Sequence, residues 1–419
     1  MAGRERGVMN VKISKSNING TITAPPSKSY THRAFISSSL SPKSVIYNPL
    51  ISEDTIATLI SCKKMGADFV KKNRNVYFLG TETIKPGYYN TMNSGTTLRI
   101  LLSLLSTIPH SSVIDGDESL RKRPNRELVS VLKKLGARIH GSHDYNAPLR
   151  VRGKINPGQL EISGKSSQFV TSLLFALPLL EGESTLKVGE IKSRPYIDIT
   201  LDVLEQSNIS IETEGSTFYI YPSEFRLREF TIPPDYSSMS YLISAGLLAG
   251  KVVIENAIDS KQGDKRFIEV AREMGGTVKK RGNKIIAENS ELEAIEFDAG
   301  DTPDIVPTVA VLGAVARGTT VIYNAEHLRI KETDRIKTVV ENLKRLGVEA
   351  RETKDGMIIR GGGVSKGTVD SHGDHRIAMG FSLLGLVGEV TVKNAECVSI
   401  SYPNYFEDLK KLGAGVEVL

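Results

Sequence analysis

The sequence predicts an α/β (α+β) fold built from six repeated units, and three periodic features carry that prediction. Helix ends recur as a basic, amphipathic stretch closed by glycine: Lys63-Lys64-Met65-Gly66, Lys133-Lys134-Leu135-Gly136, Arg272-Glu273-Met274-Gly275, Lys344-Arg345-Leu346-Gly347 and Lys410-Lys411-Leu412-Gly413. The glycines lie 70, 139, 72 and 66 residues apart, and a degenerate copy near Glu205 to Ser210 divides the 139-residue step in two. Hairpin-like segments follow, as at 277–287 and 349–360, with Asn or Asp plus Gly at the turn. Polar loops that can start helices recur with the same period near Ser27, Ser94, Ser166, Ser237, Pro303 and Asp374. Each unit therefore reads as strand, helix and strand pair.

Taken in order, the run 11–23 is β-leaning, and the step Pro25-Pro26-Ser27 is suited to open a helix. Lys28-Ser29-Tyr30-Thr31-His32-Arg33 then places cations and hydroxyls where helix N–H groups attract an anion. Residues 54–65 form an amphipathic stretch that carries Cys62 as a core residue. Asn93-Ser94-Gly95-Thr96-Thr97-Leu98-Arg99 precedes an apolar helix expected over 100–107, with Gly95 allowing close backbone approach. Arg121-Lys122-Arg123-Pro124 falls in a loop before a helix expected near Asn125. Ser163-Gly164-Lys165-Ser166-Ser167-Gln168 resembles the tail of a phosphate-binding loop, but Gly158 and Gly164 have five residues between them where that motif needs four. It is read as a hydroxyl-rich helix start, and Ser193-Arg194-Pro195-Tyr196 as another.

In the second half, Asp301 is expected to cap a helix over 308–316, which leaves Asp304 in need of a second role. Lys331-Glu332-Thr333-Asp334-Arg335 opens a helix over 336–346, and Gly373-Asp374-His375-Arg376 opens one over 377–386. Capping and surface ion pairs explain each motif singly. Six in phase, four with a cation nearby, favour a shared site for acidic ligands.

Composition bounds the function. The 419 residues are 40% hydrophobic and 24% charged, as in an ordinary globular protein. The longest apolar stretches, 169–180 and 377–387, fall short of the roughly 18 residues a membrane helix needs. The polar first ten residues lack a secretory core, which predicts a cytoplasmic protein. With two cysteines and no His pair in carboxylate or thiolate company, no metal site is expected. The net charge of +6 suits acidic small molecules better than nucleic acid, since Trp is absent and the basic residues are dispersed.

As a set, these motifs resemble the 5-enolpyruvylshikimate-3-phosphate (EPSP) synthase family nearly end to end. The resemblance implies a two-domain inside-out α/β barrel, each domain three βαβαββ units, with the active site in the interdomain cleft. The domains would be 1–22 plus 233–419, and 23–232. It implies transfer of the enolpyruvyl group of phosphoenolpyruvate to the 5-hydroxyl of shikimate 3-phosphate by a monomer without cofactor, nucleic-acid or membrane partner. By the same resemblance Lys28, Ser29, Arg33, Ser166, Ser167, Gln168, Ser193, Asp304 and Lys331 would hold shikimate 3-phosphate. Lys28, Asn93, Gly95, Arg123, Gln168, Arg335 and Arg376 would hold phosphoenolpyruvate. Asp304, Glu332 and Lys28 would be catalytic, with Asp304 accepting the 5-hydroxyl proton and Glu332 protonating the methylene carbon. Two positions depart from the pattern of some members: Ile400 stands where a Lys is expected, and His327 where an Asn is expected. Alternatives at this level are the sister transferase acting on UDP-N-acetylglucosamine and an RNA-binding or RNA-end-modifying protein.

Overall fold

The computed structural model describes residues 7–419. One unit shows how the repeat is built. Strand Tyr88–Asn90 leads into helix Gly95–Leu105, strand Ser111–Asp115, helix Arg126–Lys134 and the strands Arg138–His140 and Leu149–Arg152. Tyr88–Asn90 runs parallel to Ser111–Asp115 with Tyr89 opposite Ile114, and the other pairs are antiparallel. Each unit is thus βαβαββ, and the described residues form six four-stranded sheets of this kind.

The sequence expectation of a single β-leaning run over 11–23 is corrected. Val11–Ser14 and Ile18–Thr23 are separate strands in different sheets. The first lies antiparallel between Glu389–Lys393 and Gly415–Val418, completing the last repeat, and the second runs parallel to Gly250–Glu255. Ser16 makes the break: its N–H donates to Leu386 O at 3.0 Å, and its hydroxyl accepts from Gly415 N at 2.9 Å. Glu229–Thr231 likewise joins a sheet begun far earlier, parallel to Lys43–Tyr47. The chain divides into two compact units, Met1–Pro25 with Pro234–Leu419 and Pro26–Pro233.

All five predicted helix-end glycines have positive φ, from 77° at Gly347 to 117° at Gly66, the left-handed geometry that stops a helix. In the degenerate copy Asn208 takes that conformation at φ 64°. Two kinds of helix precede these stops. Amphipathic ones such as Arg126–Lys134 and Arg335–Arg345 bury one face. Val306–Val315 is apolar almost all round and buried almost all round, and Tyr236–Ala249, which carries four serines, is buried almost all round as well. Helices Lys28–Leu40, Gly95–Leu105, Ser167–Ala176 and His375–Leu384 are buried along most of their length. Each unit has its own hydrophobic core. Cys62 is buried in one of them, as expected, and burial pushes its thiol up to about 12. Truncating a core residue such as Leu101 or Leu343 would cost about 2–5 kcal/mol. Among the described residues, no helix is long and apolar enough to cross a membrane.

Helix starts fall earlier than the sequence reading placed them. The helix expected over 100–107 begins at Gly95, capped by Ser94. Asp301 does not cap the following helix: a short turn, Pro303–Ile305, follows Thr302 and leads directly into Val306–Val315. Pro303 and Pro307 fit there because the first turn of a helix has no use for their missing N–H groups.

Candidate active site

In the unit Pro26–Pro233, the predicted residues lie at the N-terminal ends of helices. Ser27 caps the first, its hydroxyl accepting from Tyr30 N at 3.4 Å, and Lys28 begins it. Lys28 Nζ lies 3.1 Å from Asp54 Oδ2, a carboxylate in the first turn of Glu53–Met65. Arg33, one turn on, is only 2% exposed. Its guanidinium donates to Ser29 O at 2.8 Å, Thr200 Oγ1 at 2.8 Å, Thr171 Oγ1 at 3.2 Å and Tyr196 O at 3.1 Å. One cation thereby ties together the starts of the helices carrying Ser29, Ser167 with Gln168, and Ser193. Burial, with only neutral acceptors in contact, lowers the Arg33 pKa to about 10.

Neither Ser166 nor Ser193 uses its hydroxyl to cap the helix it precedes. Ser193 is held at φ 57°, a strained conformation for a residue with a side chain. A second cluster surrounds Gly95. Arg99 Nη1 donates to Gln168 Oε1, while Gln168 Nε2 donates to Thr96 Oγ1 at 3.2 Å. Arg123 Nη2 donates to Asn93 Oδ1 at 2.9 Å, and Asn93 Nδ2 to Asp117 Oδ2 at 2.8 Å. A Cβ at Gly95 would lie 3.2 Å from Arg99 Nη1, 3.3 Å from Arg123 Nη1 and 3.4 Å from Gln168 Oε1. The glycine therefore leaves a small gap rimmed by two guanidinium groups and an amide.

A buried polar chain joins these clusters. His32 Nδ1 meets Thr58 Oγ1 at 2.7 Å, Thr58 meets Thr97 at 2.7 Å, and Thr97 meets the capping Ser94 at 2.7 Å. Burial, with Lys28 and Arg33 adding to it, holds the His32 pKa well below 6.5, so the ring is neutral.

The unit containing Pro234–Leu419 brings four of its predicted residues, Asp304, Glu332, Arg335 and Arg376, into one ion cluster. Arg335, 1% exposed, begins the helix capped by Asp334. Its guanidinium reaches three carboxylates: Asp304 Oδ1 at 3.1 Å, Glu332 Oε2 at 2.6 Å and Asp374 Oδ2 at 2.8 Å. Arg376 Nη2 reaches Asp304 Oδ2 at 2.6 Å. Burial opposes the Arg335 charge, but Asp374, Glu332 and Asp304 together outweigh it and hold its pKa above the ordinary value. Asp374 also caps the His375–Leu384 helix through Arg376 N at 2.9 Å and accepts from Thr333 Oγ1 at 3.2 Å. Lys331 stands half-buried just before this group. Ile400 is 1% exposed and packs in the core. That position supplies no cation.

Asp54 and Asp117 did not stand out in the sequence. Asp54 looks like any acid in a first helical turn.

The sequence model of EPSP synthase (3-phosphoshikimate 1-carboxyvinyltransferase) matches residues 13–409. The chain belongs to the EPSP synthase family. It is similar to a 3-phosphoshikimate 1-carboxyvinyltransferase of Archaeoglobus fulgidus, 57% identical over 414 residues that cover 97% of this chain and 99% of the relative. One from Methanothermobacter thermautotrophicus is 43% identical over 414 residues, covering 97% and 99%. Among solved structures, EPSP synthase from Acinetobacter baumannii superposes with a TM-score of 0.81 at 27% identity, covering 98% of this chain and 100% of that one. The enolpyruvyl transferase NikO from Streptomyces tendae shares the fold, with a TM-score of 0.80 at 19% identity and 99% coverage of both chains. The EPSP synthase fold expected from the sequence is thereby confirmed.

Proposed function

We propose that this chain transfers the enolpyruvyl group of phosphoenolpyruvate to the 5-hydroxyl of shikimate 3-phosphate, releasing phosphate by addition and elimination. Family membership supports the reaction, and the observation that carries the assignment of roles is the cluster of Asp304, Glu332, Arg335 and Arg376. The chemistry needs a proton acceptor, a proton donor and cations where negative charge gathers. Asp304 takes the 5-hydroxyl proton as that oxygen attacks C2 of phosphoenolpyruvate, and Glu332 delivers a proton to C3. The tetrahedral adduct then expels phosphate while the new methyl group returns a proton to Glu332, left as a carboxylate by the first step.

Lys28, Asn93, Gly95, Arg123, Gln168, Arg335 and Arg376 hold phosphoenolpyruvate in this reading. Lys28, Ser29, Arg33, Ser166, Ser167, Gln168, Ser193, Asp304 and Lys331 hold shikimate 3-phosphate. The ion pairs give the reading a physical logic. Glu332 paired with Arg335 as a carboxylate has no proton to give. An incoming phosphoenolpyruvate anion competes for Arg335, and the weakened pair lets Glu332 carry a proton. Asp54 plays the corresponding part for Lys28. Acid–base help is worth roughly 10²- to 10⁴-fold, and alignment of two bound anions supplies the larger remainder.

Ile400 leaves the site with one cation fewer than some family members. The enzyme acts as a cytoplasmic monomer in this account, and light scattering on the purified chain reads its mass directly. Phosphate release from phosphoenolpyruvate, measured with shikimate 3-phosphate and separately with UDP-N-acetylglucosamine, tests the function. Release with the first acceptor alone is expected. Release with the second, or with neither, overturns it.

A further inference from the structure

We propose that Asp264 is a positioning residue for this reaction: a buried carboxyl near Asp304 whose ionisation strengthens Asp304 as the proton acceptor. The inference rests on the reading of Asp304 given above. Asp304 has an oxygen against each of two guanidinium groups, Arg335 at 3.1 Å and Arg376 at 2.6 Å. Two adjacent cations stabilise its anion and make it a weak base. A like charge held nearby reverses part of that effect.

Asp264 is 0% exposed and lies in the short turn Gly263–Arg266. Ser237 donates its hydroxyl to Asp264 Oδ2, and Gln262 Nε2 approaches the same oxygen at 3.5 Å. Gln262 Nε2 also donates to Ser237 Oγ at 3.0 Å and to Asp235 Oδ1 at 2.9 Å. Asp235 in turn caps the Tyr236–Ala249 helix through Ser237 N at 3.0 Å. One turn along that helix, Ser240 Oγ meets Thr308 Oγ1 at 3.0 Å, and Thr308 is one turn beyond Asp304. Hydrogen bonds thus fix the Asp264 carboxyl in register with the segment that presents Asp304.

The charged groups facing Asp264 are Asp304 on the Pro303–Ile305 turn, Arg376 on the His375–Leu384 helix and Asp235 at the start of the Tyr236–Ala249 helix. Burial first, then Asp304, raise the Asp264 pKa to about 7, against the Ser237 hydrogen bond and Arg376, with Asp235 adding to the rise.

The test is the pH dependence of kcat at saturating phosphoenolpyruvate and shikimate 3-phosphate for the wild type, Asp264→Asn, Ser237→Ala and Asp304→Asn. Asparagine mimics the protonated carboxyl. Asp264→Asn should match the wild type within about twofold near pH 6 and fall about tenfold below it near pH 8, where the wild-type carboxyl is ionised. Ser237→Ala removes a hydrogen bond to the ionised form, so the rise in kcat should move to higher pH and persist. Infrared spectra of the free enzyme supply a readout independent of turnover: a protonated-carboxyl band should titrate near neutrality and be missing in Asp264→Asn. A wild-type rise retained in Asp264→Asn, or an equal loss at every pH, overturns the proposal. Wild-type turnover in Asp304→Asn would instead overturn the reading of Asp304, whatever Asp264→Asn does.

Discussion

Arg335 holds Glu332, three residues before it and just outside its helix, Nη2 2.6 Å from Oε2, while the same guanidinium binds Asp304 and Asp374. One buried cation thereby restrains both carboxyl groups assigned to proton transfer. Glu332→Gln keeps an oxygen that accepts from Arg335 and removes the acid. Turnover should fall at least about 100-fold, within the range acid–base catalysis supplies, with an unchanged melting temperature. Phosphate-release kinetics and circular-dichroism melting read the two quantities separately.

Lys28→Met should also lower turnover at least about 100-fold, through the loss of a charge that meets developing negative charge on the substrate. Its effect on folding differs from that of Glu332→Gln, because Asp54 then keeps a mostly buried carboxylate without its 3.1 Å partner. A stability loss of about 1–3 kcal/mol is expected, and pairing the change with Asp54→Asn should recover most of it. Denaturant unfolding of the single and double variants measures both.

Gly95→Ala places a methyl group 3.2–3.4 Å from Arg99, Arg123 and Gln168, closer than comfortable contact. The long side chains give way by tenths of an ångström and carry their donors off line. Displacement of an ångström in a site can cost about 100-fold, so a shift of a few tenths should raise KM for phosphoenolpyruvate roughly tenfold. KM for shikimate 3-phosphate should change less, as initial-rate measurements with each substrate varied would reveal.

Stability should carry the signature of Asp264 as well. Its pKa is raised from 3.8 to about 7 in the folded chain, so between those values the unfolded chain loses a proton that the folded chain keeps. Ionisation of the unfolded state then lowers stability progressively as pH rises from about 4 to about 7, and the loss levels off above. Asp264→Asn lacks this term. Its melting temperature relative to the wild type should increase across that interval, and thermal melts at closely spaced pH values would show it.

Much of this architecture was legible because backbone physics leaves marks in sequence. Five glycines after basic residues announced left-handed helix ends, and Asn208 was hidden only because another residue type fills the same conformation. The polar starts at Ser27, Ser94, Ser166 and Asp374 marked helix ends that carry the clusters. What could not be read was pairing at a distance. Nothing local shows that Val11–Ser14 joins strands near the C-terminus, that Asp54 meets Lys28, or that Asp264 stands near Asp304. The near-complete burial of Arg33 between three helix starts likewise depends on residues 138 to 167 positions away.

The central claim is that a proton is delivered to C3 of phosphoenolpyruvate before phosphate leaves. The most direct measurement runs the reaction in deuterium oxide and examines the product methylene by proton NMR. The account predicts deuterium in that methylene, because the transient methyl group holds one solvent-derived hydrogen among three and loses one of them. A product formed at full rate with an undeuterated methylene would contradict it.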